Sequence, residues 1–266
     1  MKHKNLMALI LTAVLTTTLL SGCGTQDGDS SAQGQTSAPV SQLSQPVSKE
    51  DSQTSQVDEL SSLLALTPEK EDMYRMLGQR LAKSYQAREN GNGTIYLEGD
   101  HIRIYQEEID YLTVIENSTA EEKGVDPAEW AVRQMKIQEA FCFAAEQENL
   151  EFDRELLNQS IETAKKQFVD PNDLFYPGNM LTIEGSGLSK EEFLDGYMDW
   201  ARRNYIAQEY ADSKFSQWYE TWEKTEALQV ESWTDGINST LNVAWEKEQL
   251  RMAEEILEKD HAEVKA

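Results

Sequence analysis

Five residues in this 266-residue chain carry a thiol or an imidazole, the groups most ready for zinc ligation, nucleophilic attack or proton transfer near neutral pH: Cys23, Cys142, His3, His101 and His261. Their spacing argues against most of that chemistry. A zinc centre needs four converging ligands, and there is no HExxH and no cysteine pair to supply them. His101 and His261 stand 160 positions apart and His3 lies at the very start. Cys142 sits between Phe141 and Phe143 in an apolar stretch, where a thiol serves as a small buried hydrophobe; a reactive thiol is the alternative. The chain also lacks a Walker loop, a GxGxxG and a GxSxG, so no feature supports catalysis and no cofactor is implied.

Cys23 is a different case, because of what precedes it. Lys2 and Lys4 make a basic start, Leu6 to Leu20 is uncharged and largely apolar, and Ser21-Gly22 are small. A spanning helix needs about 20 apolar residues, so a run this short predicts a cleaved export signal over residues 1–22. Leu20-Ser21-Gly22-Cys23 resembles the lipobox of bacterial lipoproteins. That resemblance implies cleavage before Cys23 and diacylglyceryl attachment to its thiol. It also implies a cell-membrane location, lipid-anchored on the extracytoplasmic face. Two acyl chains suffice for stable anchoring where one is marginal. With Cys23 acylated, Cys142 has no partner for a disulfide.

Charge narrows the partners. The chain has 24 basic and 48 acidic residues, a net charge of −24, and loss of Lys2 and Lys4 with the leader would make it −26. Such a surface repels nucleic acid and anionic lipid alike. The acidic excess reads as a solubility feature of helix surfaces; a basic client or a divalent cation is the sharper alternative.

Residues 23–57 are rich in Ser, Gln, Thr, Gly and Asp, and predict a flexible tether whose ends lie roughly 30 Å apart. A folded domain is expected over 58–266. Thr67-Pro68-Glu69 predicts a helix start and Asn90-Gly91 its stop. Thr94–Leu97 and His101–Ile104 flank Glu98-Gly99-Asp100 and predict a short hairpin. Gln106-Glu107-Glu108 opens the next helix, Asp126-Pro127 caps another to about Asn149, and Asp153 caps one to about Phe168. Residues 170–187 hold two Pro and three Gly and predict a long loop carrying Phe175 and Tyr176. Ser189-Lys190-Glu191-Glu192 is a capping box that starts the longest helix, to about Lys224, and a last helix runs from about Ser239 to Lys259. The apolar arc of the longest helix is wider than an ordinary surface helix requires, and Ile206 and Tyr210 project from its opposite face. It is either buried on two sides or displays aromatic surface.

This order of elements resembles the N-terminal domain of the SurA and PrsA foldases. The likeness rests on Thr94 to Ile109, on Trp130 to Ala145, on Leu150-Glu151-Phe152-Asp153 and on Leu188-Ser189-Lys190-Glu191-Glu192-Phe193. It departs at the turn, where Glu98-Gly99 replaces the usual Asn-Gly, and in lacking an inserted parvulin segment between Trp222 and the last helix. The resemblance implies a mostly α multi-helix domain with one short hairpin, of the SurA N-terminal or trigger-factor peptide-binding kind. It implies holding of unfolded or exported polypeptides, without prolyl isomerase activity. The residues singled out for peptide contact are Phe175, Tyr176, Ile206 and Tyr210. Docking of one dedicated protein partner at the envelope is the alternative function. A two-lobed solute receptor would need repeated βα units, which the sequence does not show.

Overall fold

Thr67 begins the first described helix by accepting a hydrogen bond from the Lys70 amide at 3.4 Å, with Pro68 in the first turn. The computed structural model describes residues 66–225 and 236–265. The leader, Cys23, the tether and the domain start expected near Asp58 lie outside the described residues, as does the junction between the last two helices. Helix α1 (Pro68–Asn90) ends at Gly91, whose φ of 60° closes the cap through its N–H to the Arg88 carbonyl. Strands β1 (Ile95–Glu98) and β2 (Arg103–Tyr105) follow. Then come α2 (Gln106–Ile115), α3 (Asn117–Glu122), α4 (Pro127–Gln147), α5 (Arg154–Phe168), α6 (Tyr176–Ser186), α7 (Lys190–Thr225), α8 (Gly236–Lys259) and β3 (Glu263–Val264).

The described chain is mostly helical, with a small antiparallel sheet in the order β2-β1-β3. Local caps act where the sequence predicts them. Asp126 accepts from the amides of Ala128 and Glu129, both at 3.0 Å, and Asp153 from Leu156 at 2.9 Å. Ser189 and Glu192 exchange the two bonds of a capping box at 2.9 and 3.2 Å.

Three expectations need correction. The hairpin strands lie at 95–98 and 103–105, because the ends of the expected strands bond elsewhere: Thr94 donates to Glu107, and the amides of His101 and Ile102 donate to Asp260. A third strand, β3, pairs Leu97 with Val264 and Glu98 with Glu263. The predicted loop over 170–187 contains α6, and its glycines explain why. A Cβ on Gly178 would lie 2.5 Å from the Tyr74 ring, one on Gly185 2.3 Å from the Arg75 carbonyl oxygen, and one on Gly78 1.9 Å from that of Thr182. These glycines let α1 and α6 meet backbone to backbone.

Helix α7 packs against α1, α4, α5 and α6, while α2 touches both α1 and α4. This resolves the wide apolar arc: Phe193, Tyr197, Met198, Trp200, Ala207 and Ala211 are all buried, so most of the arc is core. Phe141, Phe193, Ile104, Met135 and Met198 are the largest side chains fully enclosed, each worth about 1.5–3 kcal/mol in burial.

Candidate functional site

The end of α1, the hairpin, α4 and α7 enclose a cleft of about 480 Å³. Arg88 comes from α1, residues 99–103 and Tyr105 from the hairpin, Glu139, Cys142, Phe143 and Glu146 from α4, and Arg203 and Ile206 from α7. Two kinds of surface meet in it. Ile102, Phe143 and Ile206 present apolar groups, and the His101 ring stacks on Phe143 with centroids 5.3 Å apart. The other surface is ionic.

That ionic surface is one network in which two arginines meet Glu108, Glu139 and Asp199. Arg88 reaches Glu108 through Nε at 2.6 Å and Nη2 at 2.8 Å, and Glu139 through Nη2 at 3.1 Å. Arg203 contacts Glu139 through Nη1 and Glu108 through Nη2 at 3.3 Å. Glu108 also accepts from the Tyr105 amide at 3.1 Å. Arg203 also meets Asp199 through Nε at 3.4 Å, so three carboxylates face the two guanidiniums. Burial works against the charge on Arg88, yet Glu139 and Glu108 together hold its proton more firmly than usual; Arg203 behaves the same way.

Cys142 lies half-buried beside this network, donating through Sγ to the Arg203 carbonyl at 3.1 Å. Burial pushes its thiol up to about 12, so it is a poor nucleophile. Among the described residues no group of three or more His, Cys, Asp or Glu is placed to hold a metal ion. No described helix is long and apolar enough to cross a membrane.

The four residues singled out for peptide contact do not converge. Ile206 lines the cleft. Tyr210, one turn on, is only 5 % exposed and lies 5.1 Å from the Phe141 ring, so its expected display is corrected. Its hydroxyl donates to Glu148 at 2.9 Å, which is how a tyrosine on a polar helix face reaches the core with its polar end satisfied. Phe175 and Tyr176 are half-buried at the start of α6, and neither lines the cleft.

Sequence reasoning missed the Arg88–Glu108–Arg203–Glu139 network, since its members come from four helices and each reads alone as a surface charge. It also passed over a repeated dipeptide. Asp100-His101 in the hairpin and Asp260-His261 after α8 cross: His101 Nδ1 lies 2.8 Å from Asp260, and His261 Nδ1 lies 2.8 Å from Asp100. Comparison with protein-family models, with curated proteins and with solved structures found no match.

Proposed function

We propose that this protein is a lipoprotein held to the extracytoplasmic face of the cell membrane through Cys23, and that its helical domain holds a short apolar segment of another polypeptide. It belongs in this reading beside the peptide-binding domains of the SurA and PrsA foldases, with no isomerase module and no catalytic residue. The cleft is the observation that carries it. Its size suits one or two side chains of an extended segment. Ile102, Phe143 and Ile206 supply apolar contact, and the two arginines beneath them are already engaged by carboxylates of the chain itself.

Two measurements test it. Cys23→Ser should release the protein from membranes or leave it uncleaved; a cleaved variant that stays membrane-bound overturns the anchor. The soluble chain from residue 23 with Cys23→Ser should suppress aggregation of an unrelated unfolded protein. Adding Ile206→Glu should abolish that holding with little change in melting temperature. Equal holding by both chains would remove the cleft from the reading.

One observation favours the second reading, a single dedicated partner. The large exposed hydrophobics stand apart on separate segments: Leu66, Met76, Leu156, Leu174 at 62 %, Val243 and Val264. A promiscuous holder presents a broader apolar patch. If the chain holds no unfolded protein but retains one envelope protein stoichiometrically, the dedicated partner is correct.

A further inference from the structure

The turn of the hairpin forms one wall of the cleft, and it is bonded to Asp260, just past α8. Asp260, its side chain 1 % exposed, follows α8 and receives three bonds from that turn. The amides of His101 and Ile102 donate to it at 3.0 and 2.8 Å, and His101 Nδ1 meets it at 2.8 Å. The Asp100 amide donates to the Asp260 carbonyl at 2.8 Å. A carboxylate just past a helix C-terminus faces the unfavourable end of the dipole, so these donors are what hold it there.

Two further features belong to the same contact. A Cβ on Gly99 would lie 2.2 Å from Asp260 Oδ2, so only glycine lets the turn come this close. His261 sits at φ 53°, in the left-handed region, a conformation that persists in a non-glycine residue only where its surroundings hold it. The helix ending holds it there, with the Ala262 amide donating to the Leu257 carbonyl at 2.9 Å and the His261 amide to that of Glu258 at 3.1 Å, and this aims the ring at Asp100 across the crossing.

We propose that the crossed pairs Asp100–His261 and Asp260–His101 form a proton-sensitive latch on the wall of the cleft. With His261 protonated, the turn is held firmly against the end of α8; with it neutral, the turn is held more loosely and the cleft wall moves more freely. That the latch governs a binding cleft rests on the function proposed above. The other charges at this end are Glu146 of α4, Arg103 of β2 tied to Glu98, and Lys265 paired with Glu263 on β3.

The direction follows from the partners. The bond to Asp100, with the charge of Asp100 and of Asp260, raises the His261 value, so its contribution is complete below the ordinary histidine range and fades as pH rises through the raised value. Burial pushes the Asp260 value up, but the bonds from Ile102 and His101 outweigh it and leave it lowered, so its contribution fades only as pH falls through that lowered value. The latch is therefore tightest under mildly acidic conditions.

Hydrogen exchange at the His101 and Ile102 amides of the full chain in detergent reads the latch without any ligand. Corrected for intrinsic rates, protection should fall about two- to five-fold between about pH 5.5 and about pH 8, the scale of an exposed ion pair. Asp260→Asn should lose protection at both values. The double variant His101→Gln, His261→Gln, which keeps Asp260, should show no such pH dependence. Protection that is flat with pH in the wild type, or pH dependence that survives in the double variant, overturns the latch. A working latch in a chain that holds no polypeptide would leave the latch standing and remove the proposed function instead.

Discussion

Glu108 grips Arg88 with both carboxylate oxygens, at 2.6 and 2.8 Å, from a position 20 residues further along the chain and 2 % exposed. The paired geometry matches the fork of the guanidinium, and the Tyr105 amide donates to the same carboxylate. Glu108 thereby joins α1, the hairpin and α2.

Glu108→Ala should cost about 3–5 kcal/mol in denaturant unfolding, because it leaves a buried guanidinium short of its counter-charge. The half-exposed pair of Glu71 and Arg75, 3.3 Å apart on one helix face, is the control. Glu71→Ala should cost no more than about 0.5 kcal/mol. Equal losses in the two variants would mean that the buried network contributes no more than a surface pair.

Gly78→Ala should destabilise the domain by about 1–3 kcal/mol, since its methyl would meet the Thr182 carbonyl and force α1 and α6 apart. Gly124→Ala makes an instructive comparison. Its φ of 65° disfavours a side chain, but nothing lies within 4 Å of the added Cβ, so only the backbone cost of about 1 kcal/mol applies. Thermal unfolding of the two variants separates close packing from backbone strain. A smaller loss at Gly78 than at Gly124 would contradict the close helix contact.

Cys142 should react far more slowly than a free thiol with a disulfide reagent at about pH 8, where an ordinary cysteine is substantially ionised. Its thiol is held up to about 12 by burial. In mild denaturant the rate should rise to that of an unfolded chain. Fast labelling of the native protein would show that the cleft side of α4 opens readily, and would reinstate the reactive-thiol reading.

Much of the helical order was legible in the sequence because helix ends are local. Thr67, Asp126, Asp153 and Ser189 each bond an amide two or three residues on, and such spacing can be read without knowing the fold. Helix α6 was not legible. In the sequence Gly178 and Gly185 point to a loop, when they serve the approach to Tyr74 and Arg75, residues about a hundred positions earlier. Strand β3 has two residues, too few to carry an alternation. The site was hidden for the same reason: Arg88, Glu108, Glu139 and Arg203 gain meaning only when four helices bring them together. Ile206, which lines the cleft, stands out in the sequence because an isoleucine on a polar helix face is locally anomalous. Tyr210 shared that anomaly, but its hydroxyl could satisfy Glu148 from within the core.

The pairing of β3 with β1 and the grip of Asp260 on the turn also bear on the order in which the molecule can be finished. A polypeptide is made from its N-terminus, and its early segments begin to fold before the late ones exist. The hairpin's first two strands are available long before the residues that complete their sheet, which lie 159 positions beyond His101 at the Asp260 contact. Until Asp260 and Glu263–Val264 arrive, the amides of His101 and Ile102 lack their carboxylate acceptor and the third strand of the sheet is missing. Completion of the cleft wall thus waits on the segment after α8, so a molecule cut after Lys259 would keep its described helices and lose the wall.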